Sequence, residues 1–194
     1  MLVIGIDPGQ TIGLCVYASD SRQVLQAAQA HAVGDALAVF SAMRQQYSVY
    51  CVAIERPRIY SKGGSDIADT LEQFGALWAS VGAGTFAMPA ESGCAAPGAY
   101  RVQGQGLQSL LTRWAVERRA VVAQLTAELG GTVKGDAGVW AALVDLHGGK
   151  GVADVRATAK REAGPLGLLA GLPHARAALA VAYAAAKLED KCAC

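Results

Sequence analysis

Two carboxylates in this chain each follow directly on an apolar run, an arrangement that suits the binding of a metal ion at a phosphate. Asp7 ends the apolar run of residues 2–6, and a Pro8-Gly9 turn comes next. Glu55 comes directly after the apolar stretch Val49–Ile54. A buried strand that delivers one acid to its end can offer an oxygen ligand to a hard cation such as Mg²⁺. The alternatives are that Asp7 only caps the turn and that Glu55 is an exposed strand-end charge.

His174 is the third candidate for this chemistry. It follows Pro173 at the start of a predicted C-terminal helix, and a helix start alone would explain it. In the company of Asp7 and Glu55, its imidazole can bind a divalent ion or move a proton to or from an attacking water. We therefore take Asp7, Glu55 and His174 as candidate metal-binding and catalytic residues.

The spacing of apolar residues predicts the elements that must position these side chains. Strands are predicted at residues 2–7, 12–18, 23–30 and 49–54, with strand-like residues near 132–133 and 140–146. Helices are predicted at about residues 34–46, 66–81, 107–129, 152–162 and 173–188. Residues 82–106 contain Gly, Pro and Ser without periodicity, which predicts a loop or an insertion.

Two hairpin-linked strands, a third strand, a helix and then a buried strand ending in an acid form the order of a ribonuclease H-like fold. The predicted class is therefore α/β, with a mixed five-stranded sheet flanked by helices. The first and fourth strands lie side by side in that arrangement, so Asp7 and Glu55 would meet at one edge of the sheet. Two ions held there about 4 Å apart could activate water and stabilise the leaving oxygen of a phosphodiester.

Ordered motifs along the chain resemble the RuvC-type Holliday-junction resolvases of bacteria and phages. The resemblance is carried by residues 4–9 with Thr11 and Gly13, by Ala53-Ile54-Glu55, by residues 149–154 and by residues 174–180. The first motif alone is moderately specific, and the ordered set is considerably stronger. It covers most of the chain except about residues 61–106, a candidate insertion in what we expect to be a single domain of residues 1–194.

The resemblance implies a homodimeric endonuclease that uses Mg²⁺ or Mn²⁺, with two ions per active site. Such an enzyme nicks two strands of a four-way DNA junction symmetrically, during DNA recombination and repair. Water would attack the junction phosphodiester in line with the 3′ oxygen and leave a 5′ phosphate.

One position departs from the family pattern. The family's last helix carries two metal-binding residues three positions apart, which places them on one helix face. The first is Asp or His, which matches His174, and the second is Asp, where this chain has Ala177. A missing Mg²⁺ ligand weakens occupancy and slows cleavage. Whether Ala177 is natural divergence or a substitution that traps uncleaved DNA stays open, as does the activity of the chain.

Basic residues near the first motifs are candidates for DNA contacts. In the family, a loop after the catalytic Glu enters the junction and packs an aromatic side chain against bases. Tyr60 lies at a comparable distance from Glu55, and it could stack on a base while nearby cations hold phosphates. A Tyr packed under its own loop and ordinary solvated helix faces are the alternatives. The candidate DNA-binding residues are Arg56, Arg58, Tyr60, Lys62, Lys150 and Arg156.

Composition narrows the remaining classes. The 194 residues are 53% hydrophobic with a net charge of +1, which neither favours nor excludes nucleic acid. No apolar run is long enough to span a membrane and no signal peptide is recognisable, so we expect an intracellular protein, in a bacterial cell or a phage-infected host. The five cysteines, with no Cys-x-x-Cys pair, fit thiols in a reducing compartment.

Three other functions share parts of this pattern. A non-cutting module that binds branched DNA would retain the basic residues and tolerate Ala177. A nuclease of the same fold acting on other branched DNA or on RNA would share Asp7 and Glu55. The hairpin of actin-like sugar kinases and ATPases also resembles residues 7–13, but those proteins need two such lobes and about twice this length. The length and the ordered motifs favour the junction resolvase.

Overall fold

A mixed six-stranded sheet lies at the centre of the computed structural model, which describes residues 1–49, 51–57, 65–81, 97–102, 111–147 and 166–192. The strands are β1 (Leu2–Asp7), β2 (Ile12–Ala18), β3 (Gln23–Ala30), β4 (Cys51–Glu55), β5 (Ala99–Val102) and β6 (Thr112–Val116). The described helices are α1 (Val33–Gln46), α2 (Ser65–Val81), α3 (Arg118–Leu129), α4 (Gly135–Leu146) and α5 (Pro173–Cys192).

The strand order is β3-β2-β1-β4-β6-β5. β1 pairs with β2 and β2 with β3 in antiparallel fashion, as two consecutive hairpins. β4 lies parallel to β1 on one side and parallel to β6 on the other, while β5 runs antiparallel to β6 at the edge. The predicted α/β class and the adjacency of the first and fourth strands are confirmed. The sheet has six strands and not five, because β5 and β6 both form in stretches that were not predicted as strands, while residues 132–133 and 140–146 form none.

The two faces of the sheet carry separate cores, as strand alternation requires. One face of β1, β2 and β4 packs with α1 and α2 through branched side chains, which are Ile4, Ile6, Leu14, Val16, Val52 and Ile54. The other face packs against α3, α4 and α5 through smaller or aromatic side chains, which include Val3, Cys15, Tyr17, Cys51 and Ala53. Asp7 and Glu55 continue this second series, so both point to the side of the sheet that α5 covers.

α5 lies unusually close to the sheet because glycine and alanine face each other there. A Cβ added at Gly5 would come within 2.0 Å of the carbonyl oxygen of Ala178, and one added at Gly13 within 2.1 Å of the carbonyl oxygen of His174. The side of α5 toward the core is largely alanine and fully buried. The first turn of α5 is therefore seated directly on β2, next to the end of β1.

A buried ionic cluster ties the far end of α5 to the sheet edge. Arg101 on β5 donates two hydrogen bonds to Glu189, from Nε at 2.9 Å and from Nη2 at 2.5 Å. The indole Nε1 of Trp114 on β6 donates a third, at 2.9 Å. Glu189 is only 5% exposed, so these donors supply hydrogen bonds to a carboxylate that has little access to water.

Three sequence predictions about the second half of the chain are wrong, and the first is that of strand-like residues near 132–133, which lie in no strand. Within the predicted helix 107–129, residues 112–116 form β6 and α3 begins only at Arg118. All five residues of β6 are buried, so the strand lacks apolar–polar alternation and its apolar spacing resembled that of a helix. The strand-like residues 140–146 belong to α4, because a short apolar run does not distinguish a strand from a buried helix.

The misassigned helix also bears on assembly. Val121 and Leu125, two apolar residues of that predicted helix, are both fully buried in the core of their own chain. They are therefore unavailable to a partner.

None of the helices described is both long and apolar enough to cross a membrane. The predicted helix 152–162 lies outside the described residues.

Candidate active site

Strand register brings Asp7 and Glu55 together. In the parallel β1–β4 pair, Ile6 is level with Ile54, and the two carboxylates come next on each strand. They therefore lie at the same height on neighbouring strands, on the same face of the sheet. Adjacent strands are separated by about 4.8 Å, which is close enough for two carboxylates to share one cation.

The two carboxylates are costly to ionise in this position. Burial raises the pKa of Asp7 to about 7, with Arg118 opposing the rise. Burial also raises the pKa of Glu55 to about 7, and the negative charge of Asp7 adds to that rise. Two largely buried acids that repel each other are the situation in which a bound cation contributes most. The pair is therefore electrostatically suited to a divalent ion.

His174 is the third polar side chain at this end of the sheet, beside Asp7 and Glu55. It is the second residue of α5, and its Nδ1 lies 3.3 Å from Oδ2 of Asp7. Its side chain is 43% exposed, whereas that of Asp7 is 16% exposed. The imidazole thus reaches from solvent to the buried carboxylate, a position from which it can carry a proton or bind an ion.

A cleft of about 560 Å³ opens over these three residues. Ala177 lines it one helical turn after His174, as the spacing of three predicts. Its methyl group contributes no ligand. The structure therefore brings together all four positions that the sequence singled out, Asp7, Glu55, His174 and Ala177.

Sequence reasoning missed an ion pair in the same cleft. Arg118, the first residue of α3, donates from Nη2 to Oδ1 of Asp136 near the start of α4. Both residues line the cleft, and the positive charge of Arg118 lowers the pKa of Asp7 and of Glu55. No motif marked either residue. Arg118 is one of several arginines in the middle of the sequence, and its spacing does not distinguish it from the others.

Two further residues of the cleft wall, Trp140 and Arg176, form a cation–π contact. The guanidinium of Arg176 lies 4.7 Å from the ring centroid of Trp140. Its Nε donates a 3.3 Å hydrogen bond to the carbonyl oxygen of Leu169. Arg176 is therefore engaged by two partners and contributes a fixed positive charge to the rim.

Of the predicted DNA-binding residues, only Arg56 is among those described. It follows Glu55 directly, but its guanidinium stacks 4.5 Å above the ring centroid of Tyr100 and it does not line the cleft. The hydroxyl of Tyr100 in turn donates to Glu117 at 3.3 Å. Arg58, Tyr60, Lys62, Lys150 and Arg156 lie outside the described residues, so their assignment stays a prediction.

The donor set fits a divalent cation that is only partly enclosed. Among the described residues, no three His, Cys, Asp or Glu side chains are arranged as a ready-made metal site. Asp7 and Glu55 nevertheless supply oxygen donors of the kind that Mg²⁺ prefers. The imidazole of His174 suits a transition-metal ion such as Mn²⁺ better than it suits Mg²⁺. Asp7, Glu55 and His174 could therefore hold such an ion, with water or substrate oxygens completing its coordination.

Comparisons with known proteins agree on the fold. No family model matches the chain, and no curated protein matches it either. Among solved structures, RuvC of T. thermophilus in complex with a Holliday junction substrate superposes with a TM-score of 0.55 at 18% identity, covering 98% of this chain and 95% of that one. A further Thermus thermophilus RuvC structure gives 0.53 at 19% identity, covering 100% and 97%. The chain therefore has a RuvC-like, ribonuclease H-like fold.

Proposed function

We propose that this chain is a metal-dependent, structure-specific DNA endonuclease that resolves four-way junctions by symmetric paired nicks. The observation that carries the proposal is the Asp7–Glu55 pair, level on neighbouring parallel strands beneath an open cleft with His174 at its edge. The RuvC-like fold supports it, since one of the similar structures holds a Holliday junction substrate.

Each residue has a distinct task in this proposal. Asp7 and Glu55 would hold Mg²⁺ or Mn²⁺, and the bound ion would supply Lewis-acid activation of water and of the phosphodiester. His174, at 3.3 Å from Asp7 and partly exposed, would add a ligand or accept the proton released by the attacking water. In this proposal the cleft would admit a phosphodiester from solvent, while the carboxylates at its base stay largely buried.

Symmetric nicking needs two active sites, so we also propose that two copies act together on one junction. A four-way junction presents equivalent strands related by a two-fold axis, and a two-fold symmetric dimer would match it. Sedimentation equilibrium of the free protein and of its junction complex tests this point. A single copy bound per junction would contradict it.

The decisive experiment is cleavage of a synthetic four-way junction in Mg²⁺ and in Mn²⁺ by the chain and by Ala177→Asp. Asp7→Asn combined with Ala177→Asp is the matched loss-of-ligand control, and linear duplex is the control substrate. We expect paired nicks at symmetry-related positions from Ala177→Asp and none from this double variant. Nicks from the unaltered chain as well would mean that three ligands suffice.

A non-cutting junction-binding module is the second candidate, because Ala177 removes a carboxylate from the cleft itself. Tight junction binding with no cleavage by either the chain or Ala177→Asp would favour that module and overturn the nuclease. Cleavage of flaps or RNA in preference to the junction would instead point to a nuclease of the same fold with another substrate.

A further inference from the structure

Arg118 lines the cleft just beyond the end of β6, the strand that pairs with β4 beside Glu55. β6 pairs with β4 in parallel so that Val116 is level with Glu55, and Arg118 comes two residues later. Its side chain is 30% exposed, so the guanidinium reaches the cleft without being free in solvent. The chain thus places one fork-shaped donor beside the two carboxylates.

The partner of Arg118 is poorly suited to hold it permanently. Asp136 is 95% exposed, and ion pairs with such an exposed carboxylate stabilise a protein little. Arg176, the other arginine of the cleft, is by contrast occupied by Trp140 and by the carbonyl of Leu169. Arg118 is therefore the arginine of the described cleft whose partner an incoming anion can most easily replace.

The surrounding backbone also favours an anion. α3, α4 and α5 all begin at the cleft, and each contributes residues of its first turn to the lining, including Arg118, Ala137 and His174. Neither α3 nor α4 has a hydrogen bond from its N-cap side chain to its first turn. The positive ends of these helices therefore add to the attraction that Arg118 exerts on a negative group.

We propose that Arg118 binds the phosphate next to the Asp7–Glu55 pair, and that Asp136 occupies its guanidinium until a DNA phosphate takes that place. The exchange replaces one carboxylate partner by one phosphate partner, which a guanidinium can bind with two parallel hydrogen bonds. Asp136 thus competes with the substrate. This inference rests on the proposed function, since it assumes that DNA enters this cleft.

Junction binding in EDTA tests the exchange without any metal ion. The probe is a fluorescent four-way junction titrated with the unaltered chain, Arg118→Gln, Asp136→Asn and the double variant. We expect Arg118→Gln to weaken binding about tenfold and Asp136→Asn to tighten it about threefold. The double variant should bind close to Arg118→Gln, because the exchange removes the contribution of Asp136 chiefly through Arg118. Arg118→Lys, which keeps the charge and loses the fork, should fall between.

Matched controls separate a specific contact from a change in net charge. Arg44→Gln removes one positive charge from the exposed end of α1, and Asp35→Asn removes one negative charge from its exposed start. Both should change affinity by less than about twofold. The slope of log affinity against log salt should fall by about one for Arg118→Gln and stay unchanged for Arg44→Gln. Thermal unfolding by circular dichroism checks that each variant is folded.

The outcomes distinguish this inference from the proposed function. If Arg118→Gln behaves like Arg44→Gln while the unaltered chain binds junctions tightly, Arg118 is not a phosphate ligand and the proposed function stands. If Asp136→Asn weakens junction binding, the inference that Asp136 competes with a DNA phosphate for Arg118 is wrong. If the unaltered chain binds neither junction nor duplex, both the proposed function and this inference are overturned.

Discussion

Gly13 on β2 lies directly beneath the carbonyl oxygen of His174, so close that a Cβ at Gly13 would stand 2.1 Å from it. This approach seats the first turn of α5 and thereby sets where His174 meets Asp7. The glycine of the N-terminal hairpin is therefore part of the candidate site through packing alone.

Gly13→Ala should displace the start of α5 and separate His174 from Asp7. Because the obstruction is backbone, the expected cost is about 3 kcal/mol in the free energy of unfolding, at the upper end of the usual range for overpacked sites. Urea denaturation measures it, and junction cleavage by the folded fraction should fall in parallel. Gly9→Ala is the control, since its nearest neighbour would be 3.7 Å away. Equal stability of the two variants would contradict the packing argument.

The carboxylate pair should make the metal-free protein less stable as the pH rises. Both pKa values are raised to about 7 in the folded chain, above about 4 for an unfolded carboxyl, so the native state binds more protons between these pH values. Stability is therefore lost progressively from about pH 4 to pH 7. Asp7→Asn or Glu55→Gln should be more stable than the unaltered chain at pH 8, by about 1–3 kcal/mol, and similar to it near pH 4.5.

Urea unfolding in EDTA at the two pH values measures this difference. Asp35→Asn, which removes an exposed carboxylate on α1, should show no such dependence. A metal-free chain that is most stable at pH 8 would contradict the raised pKa values.

Divalent metal should reverse the effect of pH. Mn²⁺ binds the deprotonated carboxylates, so its stabilisation should grow from pH 5 to pH 8. At a free concentration one hundred times its Kd, Mn²⁺ adds about 2.7 kcal/mol by mass action. The melting temperature should rise by several degrees in the unaltered chain, less in His174→Ala, and not at all in Asp7→Asn or Glu55→Gln. An equal rise in all four proteins would place the ion elsewhere.

Restoring a carboxylate at position 177 should strengthen metal binding. Residue 177 lies one helical turn beyond His174 and lines the cleft, so an Asp there can approach an ion shared with Asp7. We expect Ala177→Asp to raise Mn²⁺ affinity about tenfold in isothermal titration, a gain of about 1.4 kcal/mol. Ala137→Asp adds the same charge elsewhere in the cleft and should gain much less. Equal gains would mean that bulk charge, and not position, determines affinity.

The buried cluster at the far end of α5 should govern stability and leave the cleft unaffected. Glu189→Ala would leave Arg101 largely buried without its bidentate partner, which typically costs about 3–5 kcal/mol. Glu128→Ala removes a partly exposed partner of Lys187 and should cost less than about 1 kcal/mol. Chemical denaturation compares them. Similar losses in the two variants would show that burial contributes nothing to the Glu189 cluster.

The N-terminal half of the fold could be predicted from sequence because its patterns are unambiguous. Strands β1 to β4 and helices α1 and α2 lie within a residue or two of their predicted bounds, since each strand is a short apolar or alternating run, and each helix repeats apolar residues every three or four, between clear turns. The second half failed where buried apolar runs are not bounded by turns, since no Gly or Pro separates β6 from α3. β6 is buried throughout, and α4 has an almost wholly apolar C-terminal run.

The candidate site likewise contains residues that could be predicted from the sequence and residues that could not. Asp7 and Glu55 could be predicted because each ends an apolar strand, and strand adjacency followed from the order of elements. Arg118 and Asp136 could not, because both depend on how α3 and α4 fold back over the sheet. The sequence carried no signal for that arrangement beyond a basic residue after an apolar run.

The parallel register of β1 and β4 makes the acid pair more sensitive to changes of length than to changes of composition. Any apolar residue that fits within β4 leaves Glu55 level with Asp7. Deleting a single residue from Val52–Ile54, however, would reverse the direction of every side chain beyond it and turn Glu55 toward α2. The alignment of Glu55 with Asp7 should therefore tolerate apolar substitutions within β4 but not the insertion or deletion of a single residue there.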